Sequence, residues 1–147
     1  MTGSLVHHER LPAELWPEHT GQAYRVLYEG LGYHGGPREV SGMVLVPDTP
    51  VPAAGLPIVA YAHGTTGLGD SAAPSVKGLT RLEREHVGGW LASGYLVAVT
   101  DYEGLATPGP HPYLNGEVVC VSLNATDPGF DQTASGRLSG SSNRSPG

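Results

Sequence analysis

Two apolar stretches decide the fold: LPIVAYAH, from Leu56 to His63, and YLVAVT, from Tyr95 to Thr100. Neither stretch alternates apolar with polar residues, which is typical of strands covered on both faces of a parallel sheet. Between them, Gly78 to Ser93 predicts a helix, because apolar or aromatic residues recur near a 3.6-residue period. These residues are Leu79, Leu82, His86, Trp90 and Leu91. Strand, helix and strand in this order predict a βαβ unit with two parallel strands and a right-handed connection.

Two further strands precede this unit. Ala23 to Tyr28 has apolar residues at every second position, and Glu39 to Val46 is an apolar run that Pro47 ends. The stretch between them, Gly30 to Pro37, contains four glycines and a proline and predicts a turn, so the two strands should pair in antiparallel fashion. An antiparallel opening that leads into a parallel sheet with one crossover helix is how an α/β-hydrolase fold begins. The fold class predicted is therefore α/β, as part of an α/β-hydrolase fold.

Composition and charge narrow the functional class. The chain has 147 residues, of which 39% are hydrophobic and 15% charged, with a net charge of −6. The acidic balance argues against nucleic acid or an anionic membrane as the main partner. No apolar run is long enough for a signal peptide or a transmembrane segment, so the chain as read is expected to be cytoplasmic.

The chain divides into three parts by composition. Residues 1–22 form a polar lead-in, residues 23–117 carry the strand and helix patterns, and residues 118–147 are rich in Ser, Gly and Asn. We expect the last part to be disordered. A single cysteine, Cys120, excludes an internal disulfide and leaves no cysteine-based zinc site, so no metal site is predicted.

The loop from His63 to Ser75, HGTTGLGDSAAPS, directly follows the first buried strand. Backbone N–H groups of such a loop can stabilise the negative oxygen that develops during acyl transfer. Glycine-rich loops after buried strands also bind phosphates, and the spacing alone leaves both roles open. A Walker-type loop is excluded because Gly-Lys-Ser/Thr is missing, and Gly64, Gly67 and Gly69 do not match G-x-G-x-x-G.

Two segments resemble the N-terminal half of the secretory lipase family, α/β-hydrolases related to fungal lipase A and abundant in actinobacteria. They read PIVAYAHGTTGLGDSAAPS and WLASGYLVAVTDYEGLATPGPHPYLNG, and the resemblance runs from about Ala23 to Gly116. It implies that Gly64, Thr65 and Thr66 belong to the oxyanion loop and that Asp70 lies beside the oxyanion position. It also implies hydrolysis of carboxylic esters, including triacylglycerols and shorter acyl esters, without metal or organic cofactor. Members of the family are often secreted.

The chain departs from this family at the nucleophile. Serine catalysis in α/β-hydrolases needs G-x-S-x-G, followed by an Asp or Glu and a His. No G-x-S-x-G occurs among the 147 residues. Gly136 to Leu138 resembles the approach to the nucleophile strand and then continues as SGSSNRSPG, which resembles a gene read in a shifted frame. We therefore expect no catalytic nucleophile, acid or base in this chain.

Four other polar residues near these strands have structural interpretations. His63 is expected to fix the loop by a hydrogen bond, because it has no serine partner for general-base work. Asp101 and Glu103 follow the second buried strand and are expected to form a buried structural network. His111, between two prolines, is expected to help set the shape of its loop and not to transfer a proton.

Three interpretations follow. The first is an inactive fragment of a serine lipase or esterase, and the second is a non-enzymatic binding module that reuses half of the fold. The third is an enzyme completed by a second chain or by unusual residues such as His63 with Asp101. The nucleotide sequence downstream of codon 117, read in three frames, separates the first from the others.

Overall fold

The structure is a computed structural model that describes residues 4–32 and 34–112. In these residues five strands and two α-helices follow one another, with 3₁₀ turns at Ala13–Leu15 and Asp70–Ala72. The elements are β1 Ser4–Arg10, β2 Thr20–Leu31, β3 Pro37–Pro47, β4 Ile58–Ala62, α1 Pro74–Lys77, α2 Arg81–Ala92 and β5 Leu96–Thr100. Cys120 and the expected tail at 118–147 lie outside the described residues.

The strands form one sheet in the order β1-β2-β3-β5-β4. β1, β2, β3 and β5 pair in antiparallel fashion, whereas β4 and β5 are parallel, with Ile58 opposite Leu96 and Ala62 opposite Thr100. The predicted antiparallel opening and parallel pair are confirmed. The arrangement is a partial α/β-hydrolase fold.

The sheet has an apolar cluster on each face. The cluster on the face that carries α2 comprises Leu11, Ala23, Met43, Leu45, Leu79, Val87, Leu91, Val97 and Val99. The cluster on the other face comprises Tyr24, Val26, Tyr28, Val40, Val44 and Leu96. Val87 and Leu91 of α2 are 0% exposed, and burying a side chain of this size contributes about 1.5–3 kcal/mol.

The α2 helix begins at a capping box. The hydroxyl of Thr80 accepts a hydrogen bond from Glu83 N at 3.4 Å, and the Glu83 carboxylate accepts one from Thr80 N at 3.0 Å. The buried face differs in phase from the predicted one: Leu82 is 77% exposed, whereas Val87 is fully buried. The predicted start at Gly78 was also too early, because Gly78 has a φ of +87° and ends α1 instead.

β1 lies inside the segment expected to be a polar lead-in. It pairs with β2 from Ser4 to Arg10, although most of its residues are exposed. Its hydrophobic pattern is weak because it is an edge strand, and its backbone pairing rather than apolar burial places it in the sheet.

The parallel pair is covered unequally. All five residues of β5 are buried, whereas Ala60 and Ala62 of β4 are exposed. Among the described residues β4 is one of the two edge strands, opposite β1, and its exposed residues show that the expected coverage on both faces holds for β5 but not for β4.

Candidate functional site

The candidate oxyanion loop, residues 63–73, lies at the carboxyl end of β4. Because β4 and β5 are parallel, the segment 101–112 after β5 leaves the sheet at the same end as this loop, where both strands have their carboxyl ends. In open α/β sheets, ligands bind outside the carboxyl ends of the strands. The fold therefore brings together the two segments that the sequence analysis singled out.

Side chains hold both backbone groups of Gly64. Its N–H donates a hydrogen bond to Glu83 Oε1 at 3.0 Å, and its carbonyl oxygen lies 2.6 Å from His63 Nδ1. Since a carbonyl oxygen only accepts, Nδ1 carries the proton in this contact. The Gly64 backbone is not in the left-handed region, and the glycine of this loop that needs positive φ is Gly67, at +129°.

Glu83 joins the loop to the start of α2. While Oε1 accepts from Gly64, Oε2 accepts from the backbone N–H of Thr80 at 3.0 Å and from its hydroxyl at 2.7 Å. Partial burial raises the pKa of this carboxyl, but the hydrogen bonds from Thr80 and Gly64 and the nearby His63 outweigh it, so the pKa lies below its usual range. The sequence analysis did not single out Glu83 as a site residue. A capping-box pattern was visible in T-x-x-E, but nothing in the sequence indicated the contact with Gly64.

Tyr102 supports the loop from the segment after β5. Its hydroxyl donates to the carbonyl oxygen of His63 at 2.9 Å, and its ring lies 4.5 Å from the His63 ring, centroid to centroid. Burial, with the negative charge of Glu83, raises the pKa of Tyr102 to about 12, so the phenol remains a donor at neutral pH. Tyr102 adopts a φ of +71°, a conformation that costs a non-glycine residue energy and often marks functional regions.

His63 is buried, at 6% exposure, and acts on the loop as expected, by a hydrogen bond. With the proton on Nδ1, the neutral ring presents Nε2 as an acceptor. No hydrogen-bond partner for Nε2 lies within the described residues.

Asp70 links the two loops. Its Oδ1 accepts a hydrogen bond from the backbone N–H of Ala106 at 3.2 Å, and its own carbonyl accepts from Ala73 N at 3.3 Å in the 3₁₀ turn. Asp70 therefore lies at the junction between the β4 loop and the β5 loop.

The amides of the candidate oxyanion residues differ in availability. Within the described part of the chain no hydrogen bond engages the N–H of Thr65, Thr66 or Asp70, in contrast to Gly64. Lys77 Nζ donates to the carbonyl oxygen of Thr66 at 3.1 Å, which holds the following peptide and leaves the N–H of Thr66 unengaged. The hydroxyl of Thr66 is buried, also without a partner among the described residues.

Asp101 is the centre of a buried polar network, as expected from the sequence. Its Oδ2 accepts from the hydroxyls of Ser41, at 2.6 Å, and Ser75, and its Oδ1 accepts from Ser75 N at 2.9 Å. Arg25 Nε donates in turn to Ser75 Oγ at 3.1 Å. With its carboxylate 0% exposed and these donors around it, Asp101 anchors α1 to the end of β5.

Glu103 and His111 belong to the segment 101–112 that follows β5. Glu103 lies 3.7 Å from Arg38 Nε, and its carbonyl oxygen lies 2.8 Å from His111 Nδ1. A side chain at Gly104, where φ is +75°, would come within 2.6 Å of Pro110 and His111 backbone atoms. His111 thus helps to set the conformation of the segment after β5, as expected. His63 and Asp101, the pair considered for an unusual active site, form no hydrogen bond with each other in the described residues.

Residues 4–32 and 34–112 contain neither a cluster of metal ligands nor a membrane-spanning helix. No group of three His, Cys, Asp or Glu side chains there could hold a metal ion. No helix in this part of the chain is long and apolar enough to cross a membrane.

Solved lipases and esterases share the architecture at low sequence identity. Candida antarctica lipase A in its closed state superposes with a TM-score of 0.61 at 17% identity, over 84% of this chain and 31% of the lipase. A mutant of the rice cell wall degrading esterase LipA from Xanthomonas oryzae gives a TM-score of 0.58 at 19% identity, over 95% of this chain and 38% of the esterase. The chain thus spans about a third of the length of these structures. It matches no protein-family model and no curated protein.

Proposed function

We propose that the described residues are the N-terminal part of a carboxylic ester hydrolase of the lipase or esterase type, with acyl esters of lipids or smaller alcohols as substrates. The observation that carries the proposal is the loop after β4. Gly64, near the start of this loop, is held by Glu83 and His63, while the N–H groups of Thr65, Thr66 and Asp70 have no partner within the described residues.

This arrangement suits acyl transfer. Attack on an ester carbonyl produces a negative oxygen, and N–H groups that are already fixed in place stabilise it without reorganisation during the reaction. Here the loop supplies candidate donors at Thr65, Thr66 and Asp70, while Gly64, Glu83 and Tyr102 hold the loop. The buried hydrogen-bond network of Asp101 fixes α1, the helix that directly follows the loop.

The nucleophile must come from outside these 147 residues, because the sequence has no G-x-S-x-G. Oxyanion donors without a nucleophile leave only a small residual acceleration. In the proposed reaction a serine outside these 147 residues gives its proton to the histidine of its triad and bonds to the carbonyl carbon, while the carbonyl π electrons become the oxyanion beside the loop.

Hydrolysis of p-nitrophenyl butyrate tests the proposal. We expect the 147-residue chain to be no faster than a heat-treated control. A longer product, which continues the gene beyond codon 117 in the frame that encodes G-x-S-x-G and a later Asp and His, should hydrolyse the ester. If no frame encodes these residues, or if the longer folded product is inactive, the proposal is wrong and the binding-module interpretation replaces it.

A variant of the longer product tests the role of the loop. Thr66→Pro removes one backbone donor and should lower kcat by about 10²- to 10³-fold. Val51→Pro, in an exposed proline-rich loop, is the matched control and should leave kcat unchanged. Equal rates for the two variants, with folding verified by circular dichroism, would remove Thr66 from the set of oxyanion donors.

A further inference from the structure

We infer that Glu83 is a positioning residue for the candidate oxyanion loop: it holds the Gly64 N–H and thereby removes Gly64 from the set of oxyanion donors. The inference deepens the proposed function and rests on it for the meaning of the loop. The contact between Glu83 and Gly64 itself can be tested without any catalytic activity.

The Glu83 carboxylate accepts hydrogen bonds from two different elements. Its two oxygens face different elements: Oε1 accepts from Gly64 N at 3.0 Å, and Oε2 accepts from Thr80 N at 3.0 Å and from Thr80 Oγ1 at 2.7 Å. One planar group therefore fixes the distance between the end of β4 and the first turn of α2. Because the capping box already restricts the rotamer of Glu83, little further side-chain entropy is lost when it holds Gly64.

Side chains hold the backbone around Gly64 on both sides. Three successive backbone groups are held by side chains from three places: the His63 carbonyl by Tyr102, the Gly64 N–H by Glu83, and the Gly64 carbonyl by His63. The loop is thus fixed up to Gly64, and the unengaged N–H groups begin at Thr65. An N–H that donates to a carboxylate is a poor donor for a developing oxyanion, because the negative oxygen would have to displace another negative group.

Space around Gly64 supports this assignment. A Cβ placed on Gly64 would meet only Glu83 Oε1, at 3.8 Å, so neighbouring atoms do not demand glycine at this position. The hydrogen bond to Glu83, rather than tight packing, is what fixes the peptide.

Hydrogen exchange, measured by mass spectrometry on the 147-residue chain at micromolar concentration, tests whether Glu83 holds the Gly64 N–H. Glu83→Ala should accelerate exchange of the Gly64 amide by about tenfold or more, the loss expected for a hydrogen bond to a charged group. Glu83→Gln keeps an oxygen acceptor and should restore part of the protection. Glu85→Ala, which removes a charge of the same helix that pairs with Arg81 at 3.0 Å, is the matched control and should leave Gly64 unchanged.

Thr80→Ala separates loop positioning from helix capping. It removes the Thr80 hydroxyl from the capping box but leaves Glu83 able to bind Gly64, so exchange should accelerate at the start of α2 and not at Gly64. If Thr80→Ala accelerates Gly64 as much as Glu83→Ala does, the effect passes through the helix and the inference is wrong. It is also wrong if Glu83→Ala leaves Gly64 exchange unchanged. Neither result depends on ester hydrolysis, so failure here is distinguishable from failure of the proposed function.

Discussion

Single carboxylates organise the end of the sheet where the candidate site lies. Asp101 is fully buried and accepts three hydrogen bonds, whereas Glu83 is partly exposed and joins two elements by one oxygen each. Buried carboxylates are tolerated when donors surround them, and removing the carboxylate leaves those donors unsatisfied. The two residues therefore differ in consequence: Asp101 affects the stability of the fold, and Glu83 affects the order of one loop.

Asp101→Ala should lower the free energy of unfolding by about 3 kcal/mol, because Ser75 Oγ and Ser75 N lose their acceptor and Ser41 Oγ keeps only the Leu105 carbonyl oxygen. Urea denaturation followed by circular dichroism measures this. Asp48→Ala is the control, since its side chain is 52% exposed, and should change stability by less than about 0.5 kcal/mol. Similar losses for both variants would contradict the role of Asp101.

The pKa of Glu83 predicts an acid-sensitive contact. Because its folded-state pKa is lowered, the stability that ionised Glu83 contributes is fully present above the ordinary glutamate pKa, about 4.3, and is lost as the pH falls through the lowered value. Tyr61 and Tyr102 feel the charge of Glu83, but their own pKa values are raised by burial and by that charge, so both phenols stay protonated in this window. The difference in stability between the native chain and Glu83→Gln should be constant near neutral pH and shrink in acid. A difference that grows in acid would contradict this sign.

At the level of elements, the sequence predicted the parts whose apolar patterns are strong. β2 to β5 were located to within a few residues, because apolar runs and Pro or Gly boundaries mark them. β1 was not predicted as a strand, since its exposed residues carry no apolar alternation. The phase of α2 was misjudged because Leu82 fits the helical period but lies on the solvent side, and periodicity alone cannot show which side meets the sheet.

The candidate site was predicted in part for the same reason. The position of the loop after a buried strand follows from local sequence, and so does the network around Asp101 at the end of the next strand. The contact between Glu83 and Gly64 joins residues 19 positions apart and depends on how α2 packs. No local pattern encodes such a contact.

The close approach of β3 and β5 can be tested at Gly42. A Cβ on Gly42 would lie 2.4 Å from the carbonyl oxygen of Val99, a backbone atom of the neighbouring strand, so Gly42→Ala should destabilise the chain by about 1–3 kcal/mol. Gly69→Ala is the matched control, because Gly69 has a φ of −92° and nothing within 4 Å of the added atom. A urea midpoint unchanged by Gly42→Ala would contradict the strand pairing.

The sheet as a whole is uncovered at β4 in the described part of the chain. β4 is one of the two edge strands, and its Ala60 and Ala62 are exposed, so unpaired backbone groups adjoin apolar surface. Such an edge is a template for association. The chain should therefore bind the dye ANS at neutral pH and associate as its concentration rises.

Charge at the edge tests the cause of this association. Ala60→Lys should shift association to higher concentration in sedimentation velocity, because a lysine on an edge strand opposes pairing with another strand. Ala54→Lys adds the same charge in an exposed loop and should have a smaller effect. Equal effects would indicate general charge repulsion instead, and a sharply cooperative melt of a dye-free monomer would favour the binding-module interpretation.

Labelling with a fluorophosphonate probe tests whether these 147 residues contain an activated serine. The probe reacts covalently with a serine that is activated as a nucleophile beside an oxyanion hole. We expect no labelled serine in the 147-residue chain, and a single labelled serine within G-x-S-x-G in the longer product of the gene. Labelling of any serine within the 147 residues would instead place the nucleophile inside this chain.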